Sequence, residues 1–170
     1  MAILSILCYP DPRLHKVAKP VAQVDERIQT LVKDMLETMY DAQGIGLAAT
    51  QIDVHERVIV IDVSEKRNEP MTLINPEILW ASEEKQLGEE GCLSVPGLRG
   101  AVDRYQQIRY EGFDPKGEPI VRVASGFHAR VVQHECDHLI GRLYPSRITD
   151  FSKFGFTEVM FPDLDPSADD

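Results

Sequence analysis

The chain of 170 residues has the length of one domain able to bury a core, and its 43% hydrophobic and 27% charged residues are ordinary for a globular protein. A formal net charge of −10 argues against a broad phosphate-binding surface, so no direct nucleic-acid binding is expected, and no apolar run reaches the length of a membrane span. Three cysteines are an odd number and too few for a disulfide scaffold, which points to a reducing, cytoplasmic setting.

The opening "MAILSILCYPDPRL" is apolar but lacks a basic lead-in and a small-residue cleavage site, so it reads as mature sequence. Pro10, Pro12 and Pro20 suggest an extended segment along the surface, with Cys8 a small buried hydrophobe. From Asp25, a plausible cap, Ile28, Leu31, Val32, Met35, Leu36, Met39 and Tyr40 recur at helical spacing, and Gly44 is placed to end that helix. "AQGIGLAATQID" (42–53) follows as a loop of small residues, which allow close approach of a ligand or backbone but make no phosphate loop. "RVIVID" (57–62) reads as a buried strand and "MTLINPEIL" (71–79) as strand, turn and strand. "YQQIRYEGF" (105–113) and "EPIVRVA" (118–124) form a hairpin around "DPKG".

Ser125 is placed to cap a second helix that runs to about Ile140 and stops at Gly141. The tail at 162–170 is acidic and proline-containing and should fray. The expected fold is α+β: one compact domain over 1–170, with an N-terminal helix and antiparallel or mixed strands around a central second helix.

That second helix carries "QHECDH" (133–138). Positions i and i+4 share a helix face, so His134 and His138 can present two imidazoles to one ion with Glu135 alongside, the H-E-x-x-H pattern of zinc hydrolases. Two histidines four apart also arise by chance, but a glutamate beside the first on an apolar helix favours a metal site. The long protease form of the motif fails because Tyr144 stands where a third histidine belongs. Glu158 would serve a general metallopeptidase but sits near the fraying tail. Cys92, in a loop within "LGEEGCLSVPGLRG" (87–100), offers a thiolate, although a free cysteine is usually a small packed residue. The residues alone leave the third ligand open. Cys136 points to another side of the helix. A structural site closed by Cys136 or His128 is a further alternative, but neither has a favourable offset. Gln51, ordinarily a surface amide, could donate to a developing oxyanion.

Taken together, "GIGLAATQ" (44–51), "EGCLS" (90–94) and "QHECDH" (133–138) resemble the three signature motifs of the peptide deformylase family, in order, and "PDPRL" (10–14) is similar to that family's opening. The resemblance covers most of the chain. It implies one divalent metal ion on Cys92, His134 and His138, ferrous iron foremost, with zinc, nickel or cobalt as substitutes. It implies a metal-held water as nucleophile, Glu135 as general base and acid, and the Gln51 side chain with the Leu93 backbone N–H as oxyanion donors. The implied substrate is the N-formyl-methionyl end of nascent polypeptides, and the products are formate and a free amino terminus. Peptide pairing is implied at Ile45, Gly46 and Gly91, with the methionine side chain among Ile45, Val131, His134 and Phe127. Arg99 matches an arginine near the peptide's far end, with a solvated surface charge as its bland alternative. Glu90 and Arg104 resemble a supporting ion pair, and Asp137 either orients a ligand or is solvated. Gly88 stands where many members carry a larger apolar residue, implying a more open methionine pocket. Transient proximity to the ribosome is implied as well, although the long basic C-terminal helix that some members dock with has no counterpart in the acidic tail.

Overall fold

The computed structural model describes residues 2–163, so most of the tail expected to fray lies outside the described residues. Among the described residues, eight strands fall into two sheets. The larger comprises β1 (Gly46–Ala48), β2 (Val58–Ile61), β3 (Met71–Ala81), β6 (Gln107–Phe113) and β7 (Pro119–Ser125), in the order β1-β2-β3-β6-β7. The smaller comprises β4 (Lys85–Cys92), β5 (Val95–Tyr105) and β8 (Phe154–Phe156), in that order. Every strand pairing is antiparallel. β1 and β4 are therefore both edge strands. Three helices complete the fold: α1 (Glu26–Asp41), α2 (Gly126–Leu139) and the short α3 (Thr157–Met160).

The two long helices cover opposite faces of the larger sheet, and β2 shows why. Its alternate residues Ile59 and Ile61 join Leu73, Ile108 and Tyr110 beneath Ala129, Val131, Val132 and Leu139 of α2. Val58 and Val60 instead join Leu47 and Ile74 beneath Ile28, Val32, Met35 and Met39 of α1. A continuous apolar run is what a strand covered on both faces requires. The smaller sheet closes a third cluster, in which Cys92, Val95 and Val102 meet Leu14, Leu143, Tyr144 and Ile148.

Asp25 caps α1 as expected, its Oδ1 accepting from the Ile28 N–H at 3.2 Å. The end of that helix differs. The left-handed residue is Gln43 (φ 58°), whose N–H bonds the Tyr40 carbonyl while the Gly44 N–H reaches back to Met39. Gly44 follows the cap and does not form it. "MTLINPEIL" is one strand and not two: Asn75 (φ 54°) and Pro76 make a bulge in β3, because asparagine tolerates the left-handed region and proline lacks a ladder donor. The Asn75 side chain uses the kink to bond both the N–H and the carbonyl of Val21, at 2.7 and 3.0 Å. Ser125 occupies the cap position of α2 but makes no side-chain cap bond. Cys8 is exposed and not buried, because the extended N-terminal segment turns Leu4, Ile6 and Leu7 inward instead.

α2 does stop at Gly141 (φ 80°), where the Gly141 and Arg142 N–H groups bond the carbonyls of His138 and Asp137. A Cβ there would also press into the His15 carbonyl. Gly141→Ala is expected to lower unfolding stability by at least about 2 kcal/mol in denaturant titration, because strain and clash act together.

Candidate metal centre

Helical spacing stacks His134 and His138 on one face of α2, with ring centroids 5.1 Å apart. The third group arrives from the other sheet. β4 and β5 form a hairpin joined by only Leu93 and Ser94, so Cys92 sits at the end of a strand and not in a free loop. Its Sγ lies 3.5 Å from His138 Nε2, and the candidate ligand atoms of Cys92, His134 and His138 all fall within 4.8 Å of one another. All three side chains are buried. Metal–sulfur bonds of about 2.3 Å and metal–nitrogen bonds of about 2.0–2.1 Å set the S and N corners of a tetrahedron roughly 3.5 Å apart. The donor set fits one divalent ion.

The electrostatics agree. Burial pushes His138 well below the usual imidazole range, aided by its neighbour His134, which leaves it neutral and able to offer a lone pair. Burial also opposes charge on His134, but hydrogen bonding to Cys92 and to Glu90 outweighs it and raises that group, so an ion binding there displaces a proton from its Nε2. Burial pushes the Cys92 thiol up, so its ionisation calls for a cation beside it. Glu90 is the hub behind the site. Its carboxylate accepts from His134 Nδ1 at 2.8 Å, from Arg104 Nε and Nη2 at 2.8 and 2.9 Å, and from Arg130 Nη1 at 2.7 Å. This fixes His134 with Nε2 toward the cluster. Asp137 is buried, not solvated; it binds Arg104 at 2.7 Å and Arg147 at 2.8 Å, bracing the hub from behind.

Glu135 is 2% exposed, with Oε2 3.9 Å from His134 Nε2. Its carboxyl lies directly over Gly46, where an added Cβ would come within 2.5 Å of Oε2. The absence of a side chain at Gly46 thus makes room for Glu135. Gly46→Ala is expected to displace that carboxylate and lower kcat about tenfold to a hundredfold with bound metal unchanged, as steady-state kinetics beside metal analysis would register.

Gln51 has a fixed orientation. Its Oε1 accepts from the Ala48 N–H at 2.9 Å, so Nε2 must face Ser94 Oγ (3.0 Å) and Cys92 Sγ (3.6 Å). The N-terminal segment straps this arrangement from outside: Leu7 N–H bonds the Gln51 carbonyl and Tyr9 N–H the Ser94 carbonyl, each at 2.7 Å. Leu93, at the hairpin tip, packs against the α1 cluster.

The Ile45 carbonyl accepts from the Asp62 N–H, and Gly46 pairs opposite Ile61. That alternation turns both backbone groups of Gly46 to the free edge of β1. Gly91 falls at the register shift in β4 between Glu90 and Cys92. Between these two edges opens a cavity of about 70 Å³, lined by Ile45, Glu89, Glu90, Arg99, Phe127, Arg130, Val131 and His134. Arg99 is among the residues at this cavity. The room beside Gly88 is not open, because the Arg130 guanidinium fills it.

The rival ligands do not converge. Glu158 is exposed on α3. His128 bonds the Tyr110 hydroxyl at 3.0 Å, and Cys136 packs against the core, where burial pushes its thiol up to about 12. Among the described residues no other cluster of histidine, cysteine and carboxylate could hold an ion.

A family model described as polypeptide deformylase matches residues 3–154. The chain belongs to the polypeptide deformylase family. It is 56% identical to peptide deformylase 2 of Pseudomonas syringae pv. tomato, over 99% of each chain. It is 54% identical to peptide deformylase 1 of Bordetella pertussis, over 98% of this chain and 99% of that one. Among solved structures, a peptide deformylase from Legionella pneumophila superimposes with a TM-score of 0.84 at 43% identity, covering 89% of each chain. One from Ehrlichia chaffeensis in complex with actinonin gives 0.85 at 41%, covering 90% and 92%. The α+β fold is that of the deformylases.

Four residues here escaped the sequence reading. Ser94 lies inside "EGCLS", and Tyr144, stacked on His134 with ring centroids 6.0 Å apart, shows in the sequence only as the residue in place of a third histidine. Arg147 and Arg130 had the signal of a charge near or on an otherwise apolar helix face, which sequence reading assigns to solvent.

Proposed function

We propose that this deformylase removes the formyl group from the N-terminal formyl-methionine of newly made polypeptides, releasing formate. The observation that carries the reading is the convergence of Cys92, His134 and His138 beside a buried Glu135 and a directed Gln51 amide, in a chain of this family. Cys92, His134 and His138 hold a single divalent ion, ferrous iron in the native enzyme with zinc, nickel or cobalt as substitutes. When bound, the ion acidifies water and polarises the formyl oxygen.

The chain's own groups do the rest. Glu135 takes a proton from the attacking water and returns it to the leaving amine. Gln51 Nε2 and the Leu93 N–H donate to the oxygen on which charge develops, each worth about 2.7–4 kcal/mol in comparable sites. The peptide lies extended between the edges of β1 and β4, pairing with Ile45, Gly46 and Gly91, a strand-addition mode suited to two unpaired edges. Its first side chain enters the cavity of Ile45, Phe127, Val131 and His134, with Arg99 at the rim. The chain acts as one catalytic domain. Its substrate exists on chains leaving the ribosome, which places it in the bacterial-type cytoplasm, in N-terminal processing. No helix among the described residues is long and apolar enough to cross a membrane.

Loaded anaerobically with ferrous iron, the protein should release formate from a formyl-methionyl tripeptide, faster than its zinc form. Absence of hydrolysis with every metal tried would overturn the assignment.

A further inference from the structure

One side chain lining the substrate cavity is out of character for it. Arg130 lies on the buried face of α2 between Ala129 and Val131 and is 8% exposed. Its guanidinium is pinned on four partners: Gln86 O at 2.6 Å, Val102 O at 2.8 Å, Glu90 Oε2 at 2.7 Å and Gly88 O at 3.3 Å. The head therefore faces the β4–β5 hairpin, and Arg130 is at the same time a wall of the cavity that His134 and Ile45 share. Space for the head exists only because residue 88 is glycine. A Cβ there would stand 2.9 Å from Arg130 Cζ and Nη2.

We propose that Gly88 and Arg130 form a specificity-determining pair: the pinned arginine is an unyielding wall that limits the first side chain of the substrate to an unbranched one of methionine's length. The inference rests on the deformylase reading of the cavity. An apolar wall residue can move between staggered rotamers to admit a bulkier guest without losing a hydrogen bond. Arg130 cannot withdraw without surrendering its bonds and leaving a buried carboxylate short of a partner, which is far costlier. The same contact with Glu90 places the wall one residue away from the His134 orienting bond, so the pocket's shape and the metal site share a support.

The test compares kcat/KM for formyl-methionyl and formyl-phenylalanyl tripeptides. Arg130→Met keeps a stem and removes the head, and Arg104 still engages Glu90 through two bonds, so the fold has its principal ion pair. The expected result is a rise of roughly tenfold in the phenylalanyl-to-methionyl ratio, the discrimination that one or two methylene-sized changes in a pocket produce. Gly88→Ala alone should lower kcat/KM for both peptides by driving the guanidinium from its partners. Placed in the Arg130→Met background, it should do little harm and return the ratio toward wild type. A ratio within twofold of wild type for a metal-replete Arg130→Met, or equal effects of Gly88→Ala in both backgrounds, overturns the proposal. Should Arg130→Met not fold, Gly88→Ala alone decides it: kcat/KM unchanged for both peptides would overturn the proposal, because a Cβ at 88 meets the Arg130 guanidinium. Wild type inert on both peptides refutes the deformylase reading instead, so the two failures are told apart.

Discussion

Glu135→Gln is expected to lower kcat by about 10²–10⁴-fold while the protein keeps its metal and its secondary structure. Glutamine has the shape of glutamate, so it lies over Gly46 as the carboxylate does and leaves the packing of α2 undisturbed. What it loses is the ability to accept a proton. His134 and His138 remain where helical spacing puts them, and Cys92 where the hairpin puts it, so the ion still binds. KM should change little, because the lost interaction belongs to proton transfer and not to peptide pairing along β1 and β4. Formate release and metal stoichiometry measured on one preparation check both halves. A fall of less than tenfold at full metal content would remove Glu135 from the role of base.

The parts of this molecule that are local in sequence were readable there. The α1 stripe, the Asp25 cap, the "DPKG" hairpin and the histidine pair each depend on neighbours within a few positions, so periodicity and turn chemistry reveal them. The site's remaining members depend on where two sheets meet. Cys92 reads as a loop residue because "LGEEGCLSVPGLRG" is rich in glycine, yet β4 and β5 are long strands. Their glycines admit Arg130 at Gly88 and shift the register at Gly91. The motif resemblance supplied the third ligand that spacing left open. Arg130 had no such help, since a single arginine amid apolar helix residues looks like a solvated charge. Only the carboxylate of Glu90, brought from β4, makes its burial possible. The Asn75–Pro76 bulge was hidden for a related reason: the dipeptide has turn chemistry, and the tie to Val21 that makes it a bulge is remote in sequence.

The second large effect separates the third ligands directly. Loaded with a divalent metal and dialysed anaerobically, Cys92→Ala should lose nearly all of it, because two imidazoles alone are left to hold a buried ion. Glu158→Ala should keep it, since that carboxylate is exposed on α3 and takes no part in the cluster. The opposite pattern, metal lost with Glu158 and kept without Cys92, would return the chain to the general metallopeptidases. Glu90→Gln belongs between these extremes. The His134 Nδ1–H keeps an oxygen acceptor but a neutral one, and Arg104 and Arg130 lose the buried charge they share. Metal affinity should drop about 10–100-fold, as for other outer partners of histidine ligands. Unfolding stability should fall by roughly 3–5 kcal/mol, chiefly from the Arg130 guanidinium left without its carboxylate, since Arg104 keeps Asp137. Cys92 loss empties the site of metal in a folded protein, whereas Glu90 loss weakens metal and fold together, because one carboxylate orients a ligand, neutralises Arg130 and shares Arg104 with Asp137.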